Sequence, residues 1–396
     1  MADQGGRRRD AAEERRSRRP AAAERTSGFA HTPVLLDEVL EYLQPRPGGV
    51  FVDATVGGGG HARAILEALA PGGHLVALDR DPEALDAARG ILLPLATGLG
   101  VRLDFVHSNY AALDARLDEL GLGLVDGVLF DLGVSSHQLD TPERGFSYRA
   151  DAPLDMRMDP TQGTTAYHLV NGLSEDELTD LIRRFGEERW ARRIANFIVC
   201  HRQERGLIET TGELVEIIKA AVPRTARRDG PHPARRTFQA LRIGVNNELG
   251  SLEAALRAAC FRLRAGGRVV VLSFHSLEDR TAKTVFRELA RGCTCPPEWP
   301  VCRCGKQPEI HPLVGRPLQA TAGELEANPR SRSAKLRAAE RVRTPALPSG
   351  GSERGPSILR CAAWDGVHAA WPPVPSLAET LYPSRRRSVL HLRGEE

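Results

Sequence analysis

Short apolar, β-prone runs recur along the first third of the chain and once more beyond its middle: Val50 to Ala54, His74 to Leu78, Arg102 to Val106, Gly127 to Phe130 and Arg268 to Ser273. Stretches with helical spacing separate the first four, and this alternation predicts a parallel sheet with crossover helices. The fourth and fifth runs stand too far apart for one crossover. The gap holds helical patterns of its own, Ser174 to Phe185 and Glu187 to His201, so a helical insertion is expected from Thr141 to Arg242. The resulting plan is a discontinuous α/β domain over 28–140 and 243–343, interrupted by helices at 141–242. Residues 1–27, rich in Arg, Ala and Glu, and residues 344–396, rich in Pro, Ser, Arg and Gly, lack sustained periodicity and are expected to be disordered tails, the first of them basic.

Composition adds limits. With 396 residues, 41% of them hydrophobic, the chain can bury a substantial core without disulfides. Met1 to Ser27 is charged and no run of about 18 apolar residues occurs, so neither a signal peptide nor a membrane span is expected and the chain reads as cytoplasmic. Four of the seven cysteines crowd between Cys293 and Cys304, unlike the framework of a secreted domain. A net charge of +3 names no partner, but its distribution is uneven. Between Leu181 and Val245 fourteen Arg and Lys face seven Asp and Glu, an excess that leaves the rest of the chain at −4. Such a segment is either a solvated helical face or a surface for an anionic polymer.

The strongest local signal follows the first strand. Phe51-Val-Asp-Ala-Thr-Val-Gly57-Gly-Gly-Gly60-His61-Ala62 reads as a buried strand, a glycine-rich turn and a helix start, where exposed N–H groups and close backbone approach suit a nucleotide-like cofactor. Gly57, Gly59 and Ala62 also satisfy the G-x-G-x-x-A spacing of NAD-binding folds. S-adenosylmethionine is favoured because four residues, Asp53 to Val56, precede the first glycine and place an acid at the mouth of a wider loop, suited to a cationic amine. The second strand ends in Asp79, an acid able to accept from both ribose hydroxyls. After the third strand, Tyr110 can stack on an adenine. Strand-end capping is the competing role for Asp53 and Asp79, and core anchoring the competing role for Tyr110.

Taken together, several segments resemble one family, the RsmH (MraW) bacterial 16S rRNA (cytosine-N4)-methyltransferases. They include His31-Thr-Pro-Val-Leu-Leu-Asp-Glu38, Gly57 to His61, Asp79 to Pro82, Phe130-Asp-Leu-Gly-Val-Ser-Ser-His-Gln-Leu-Asp140, Glu143-Arg-Gly-Phe-Ser147 and Pro153-Leu-Asp-Met-Arg-Met-Asp159. Gly186 to Arg189, Arg236 to Ala240, Asn246 to Leu249, Ser273-Phe-His-Ser-Leu-Glu-Asp-Arg280 and Asn328 to Ser333 continue the match in order. The resemblance implies a class I S-adenosylmethionine-dependent methyltransferase (Rossmann-like) sheet with an inserted helical RNA-recognition domain. It implies methylation of the exocyclic N4 amine of a cytosine in the decoding region of 16S ribosomal RNA, with that RNA or the small ribosomal subunit as partner. By position it implies cofactor contacts from Gly59, Gly60, His61, Asp79, Tyr110, Asp131 and Gln138.

A cytosine N4 lone pair is delocalised into its ring, so a site must supply alignment and an acceptor for an amino hydrogen. Asp131, ending the fourth strand, can be that acceptor or a cofactor ligand. DNA amino-methyltransferases carry an acid, two prolines and an aromatic there, whereas this chain has Asp131-Leu-Gly-Val-Ser-Ser136, and Phe146 or Tyr148 is left to stack on a base. After the fifth strand, His275 is a candidate for RNA contact or proton transfer, and Ser276 with Asp279 forms a capping-box pattern. Arg192, Arg193, Arg227, Arg228, Arg235 and Arg236 are candidates for RNA phosphates, with Arg183 and Arg184 beside them. Cys293, Cys295, Cys302 and Cys304 can enclose a structural zinc, although C-x-C pairs are tighter than the usual C-x2-C. A DNA amino-methyltransferase, a non-catalytic ribosome-assembly factor that holds the cofactor, and an NAD oxidoreductase are the competing functions.

Overall fold

The computed structural model describes residues 33–343, apart from 162, 228–230, 294, 297–299, 302 and the side chain of residue 136. Both expected tails, His31 and Thr32 of the first motif, Arg228 and Cys302 lie outside the described residues. The first part of the chain alternates as its pattern predicts: α1 (Leu36–Leu43), β1 (Val50–Asp53), α2 (Gly60–Leu69), β2 (His74–Asp79), α3 (Pro82–Leu99), β3 (Arg102–His107), α4 (Leu113–Glu119) and β4 (Val125–Asp131). Seven helices follow: α5 (Ser136–Asp140), α6 (Ala166–Gly172), α7 (Glu175–Gly186), α8 (Ala191–Glu204), α9 (Thr211–Ala221), α10 (Arg224–Arg227) and α11 (Arg235–Asn246). The chain then returns through α12 (Glu248–Arg262), β5 (Leu263–Ser273), α13 (Ser276–Ala290), β6 (Ile310–Pro312), β7 (Leu318–Gln319), α14 (Ala322–Ala327) and β8 (Lys335–Arg341).

The sheet runs β3-β2-β1-β4-β5-β8-β6, with β7 on β8. The first five strands in this order are parallel, while β8 is antiparallel to both β5 and β6. Period-2 alternation sorts the strands' side chains into two layers. Val52, Val76, Val128, Phe130 and Val269 join one buried cluster, which α12 covers with Leu252, Ala255 and Leu256. Phe51, Leu75, Leu129 and Val270 join the opposite one, covered by Ile65 and Leu66 of α2 and by Leu92 of α3. A third cluster, from Phe146 to Leu241, belongs entirely to the chain between β4 and β5 and includes Met156, Leu169, Ile182, Ile194, Ile218 and Leu241. Its helices begin where side chains satisfy the first amides: Thr165 and His168 at α6, Ser174 and Glu177 at α7, Thr210 and Glu213 at α9.

Three local readings change. The helix expected from Glu187 begins only at Ala191, because Glu187 itself adopts φ 49° and closes α7. The capping box after β5 falls one residue earlier than the sequence pattern places it: His275 is the N-cap and Glu278 its partner. Asp279 instead pairs with Arg337 at 2.6 Å and Lys335 at 3.4 Å on β8. Finally, β5 extends back to Leu263, and β6, β7 and β8 complete the sheet where no strand was expected. Among the described residues no helix is long and apolar enough to cross a membrane.

Candidate active site

Parallel strands all end at one edge of the sheet, and the loops leaving β1, β2 and β4 gather there. Asp53 closes β1, is 1% exposed, and accepts the Thr55 amide at 3.1 Å. Thr55 ties this loop to β4, its hydroxyl oxygen accepting the Asp131 amide at 2.6 Å. The glycine turn is fixed from the second strand: Gly57 N donates to Asp79 Oδ2 at 2.9 Å. Gly59 needs its missing side chain, since it holds φ 81° at the start of α2. Gly60 needs it for packing, because a Cβ there would lie 2.7 Å from Pro33 Cγ.

His61, in the first turn of α2, is 6% exposed. Its Nε2 lies 3.0 Å from the Val34 carbonyl and its Nδ1 3.3 Å from Asp131 Oδ2. Both partners can only accept from it when Asp131 is ionised, so the arrangement favours imidazolium. Burial pulls the His61 pKa down, but the hydrogen bond and charge of Asp131, the Asp53 charge and the Val34 carbonyl raise it above its ordinary value. Burial also pushes the Asp53 carboxyl up to about 7, with His61 and the Thr55 amide opposing and Asp131 and Asp79 adding. Asp131 Oδ1 is buried and has no hydrogen-bond partner among the described residues. Two carboxylates, Asp131 and Asp53, therefore act on one imidazole beside the glycine loop, with Asp79 acting on Asp53 in turn, an electrostatic setting suited to a cationic group.

The other candidates are placed with their own partners. Asp79 accepts the Asp81 amide at 2.9 Å as well as Gly57, and burial raises its pKa. Two backbone bonds leave lone pairs on an ionised carboxylate, so its capacity for two hydroxyls survives. Gln138 is buried, forms a capping box with Ser135, and donates to Asp81 Oδ2 at 2.7 Å. Tyr110 meets Phe130 edge to face with centroids 6.0 Å apart, and its hydroxyl donates to the Glu248 carbonyl at 3.3 Å. His275 sits within 3.1 Å of Glu278, which links it to Arg242 and Glu248 rather than to the glycine loop. Phe146 is buried in the helical cluster, and Tyr148 stacks on His232 at 4.7 Å.

Arg192, Arg193 and Arg235 are exposed. Arg193 lies over the Phe197 ring at 5.4 Å. Arg236 donates to the Glu187 carbonyl at 3.1 Å, while Arg227 is partly buried with its Nε unpartnered among the described residues. Cys293, Cys295 and Cys304 are carried on the connection from α13 to β6, away from the glycine loop.

Sequence reasoning passed over Arg144, Asn246 and Arg242. Arg144 holds Asp81 at 3.0 Å and Glu83 at 2.7 Å, and donates to the Arg157 and Met158 carbonyls. Asn246 accepts the Met158 amide at 2.9 Å and donates to the Met156 carbonyl at 2.8 Å, while Arg80 reaches its own carbonyl. Arg242 grips Glu248 through two bonds of 2.8 and 2.9 Å. For Arg144 and Asn246 the available signal was their place inside long motifs; Arg242 lies between two motifs and carried none. A cavity of about 150 Å³ is lined by Arg80, Arg157, Asp159, Thr164 and Asn246 among others.

The open parallel sheet with its antiparallel strand beside β5, the glycine turn after β1 and the acids ending β2 and β4 define the class I methyltransferase fold. The chain belongs to the MraW methylase family, whose profile matches residues 28–342. A Heliobacterium modesticaldum protein named Ribosomal RNA small subunit methyltransferase H is 56% identical over 316 residues, covering 80% of this chain and 99% of its own. Proteins of the same name from Symbiobacterium thermophilum (57% over 310 residues, 78% of this chain and 96% of that one) and Geobacter sulfurreducens (58% over 314 residues, 79% and 99%) are similar. An rRNA methylase structure from Streptococcus thermophilus overlaps loosely, at 11% identity and a TM-score of 0.34 over 80% of this chain and 100% of that one.

Proposed function

We propose that this chain transfers a methyl group from S-adenosylmethionine to the exocyclic N4 amine of a cytosine in the decoding region of 16S ribosomal RNA. The observation that carries the reading is Asp131 Oδ1, a buried acceptor without a partner among the described residues, set beside the glycine loop at the end of β4. Its amide is held by Thr55 and its other oxygen by His61, so the carboxylate is oriented before substrate arrives. The residues present fit the cofactor: the glycine loop, the lone pairs of Asp79 and the acidic surroundings of Asp53 accommodate a hydroxylated, cationic ligand, with Tyr110 and Gln138 at the margin. When bound, S-adenosylmethionine supplies an electrophilic sulfonium methyl. Asp131 Oδ1 accepts one amino hydrogen of the cytosine and turns the nitrogen lone pair out of conjugation, then holds the proton released as the N–C bond forms.

The segment 141–242, which has its own core, is the RNA-recognition domain in this reading, and Arg192, Arg193, Arg227, Arg228, Arg235 and Arg236 are its candidate phosphate contacts. The names of the relatives support small-subunit ribosomal RNA as the substrate. Mass mapping of modified nucleosides in small-subunit RNA from cells with and without the protein tests the proposal. Loss of an N4-methylated cytidine from the decoding region is expected. Loss of a mark on another base or another RNA overturns the assigned position.

A further inference from the structure

The connection from α13 to β6 is long and holds no helix or strand among its described residues, in a protein whose other described connections are mostly short. Its base is closed: Glu309 N donates to the Leu289 carbonyl at 2.9 Å, and Val342 N to the Glu309 carbonyl at 3.0 Å. Its body has little to bury, since Val301 is 67% exposed. A loop of this length, with neither apolar anchors nor secondary structure among its described residues, needs another constraint to hold one conformation.

Cysteine sulfurs supply the candidate. The Sγ atoms of Cys293, Cys295 and Cys304 all lie within 4.8 Å of one another. Cys293 and Cys304 Sγ are 3.8 Å apart. Bonds of about 2.3 Å to a tetrahedral zinc require sulfur–sulfur edges of about 3.8 Å. Backbone amides point at the sulfurs, Cys295 N at Cys293 Sγ and Arg303 N at Cys295 Sγ, both at 3.3 Å. Such donors stabilise thiolates, the form that binds metal. Soft sulfur donors in a tetrahedral arrangement select zinc over hard cations.

We propose that Cys293, Cys295 and Cys304 ligate a structural zinc ion that staples this loop. The site lies at the amino end of β5: Ile310, at the loop's end, pairs with Arg341 on β8, next to the residue facing Arg268. The glycine loop meets the opposite, carboxyl edge, so the ion holds structure and takes no part in methyl transfer.

Full-length protein purified without chelator is assayed for metal by elemental analysis, and metal-free reduced protein is titrated with zinc. About one zinc per chain is expected, with uptake of about one equivalent on titration. Cys293→Ser with Cys304→Ser should abolish zinc uptake, expose the loop to proteolysis and leave methyl transfer at the wild-type rate. Because methyl transfer is read separately, failure here is distinguishable from failure of the proposed function. No zinc on isolation together with no uptake overturns the proposal, as does an iron–sulfur chromophore or a disulfide between these cysteines. Unchanged zinc in the double variant, or zinc loss that abolishes methyl transfer in a folded protein, also overturns it.

Discussion

Replacing Asp53 with Asn should change how stability depends on pH in a direction the site fixes. Asp53 is 1% exposed, and its pKa is pushed up to about 7 from 3.8, chiefly by burial. A folded-state pKa above the unfolded value means that the folded protein binds the extra proton. The contribution is fully present below the unfolded pKa near 3.8, and is lost as pH rises through about 7. A shift of about three units corresponds to about 4 kcal/mol at most, on the order of 1.4 kcal/mol per unit. The amide of Asn keeps an oxygen for the Thr55 N–H and carries no charge. The variant should match wild type near pH 4 and exceed it at pH 8 by an amount approaching that figure. His61, whose folded pKa is also raised, loses its own contribution in the same direction as pH rises, and because the Asp53 charge is one cause of that shift, the difference between variant and wild type reports Asp53 together with its coupling to His61. Urea unfolding of both proteins in matched buffers at several pH values between 4 and 8 provides the measurement. Parallel stability curves would refute the reasoning and leave Asp53 an ordinary ionised strand-end residue. The same variant should bind S-adenosylmethionine more weakly, because a carboxylate facing the cationic group is lost.

Three other outcomes are expected. Asp131→Ala should abolish or greatly slow methyl transfer at saturating RNA while RNA affinity stays near wild type, because no phosphate contact is removed; single-turnover methylation with parallel RNA binding checks this, and full activity would remove Asp131 from the chemistry. Asp79→Ala should weaken S-adenosylmethionine binding by about 1.5–3 kcal/mol, since a charged acceptor is lost and Gly57 N loses its partner; calorimetry with unchanged affinity would exclude it from the site. Replacing Arg192, Arg193 and Arg235 with Ala should weaken RNA binding and lower the salt slope by roughly 0.7–0.9 for each phosphate contact removed. An unchanged slope would make the basic segment a solvated face.

Whatever depended on local pattern was legible in the sequence. Short apolar, β-prone runs located β1 to β4 and the later half of β5; β1, β2, β4 and that half of β5 bury both faces and so read as near-continuous apolar runs, while β3 at the sheet edge is only partly buried. Glycine spacing marked the turn after β1, since φ 81° at Gly59 is a backbone demand that glycine meets readily. The gap between β4 and β5 announced inserted helices by its length and by the helical patterns inside it.

Tertiary structure decided what depended on partners distant in the chain. Lys335–Arg341 does not look like a strand flanked on both sides, yet Arg337 and Arg341 are buried because Asp279 and Glu309 neutralise them. His275 rather than Ser276 caps α13 because Glu278 turns back to its backbone, while Glu187, far away in sequence, engages Ser276. The pairing of His61 with Asp131 was beyond sequence for the same reason: each residue type is ordinary alone. Adjacency of β1 and β4 in the sheet brings them within 3.3 Å and leaves one carboxylate oxygen buried without a partner among the described residues.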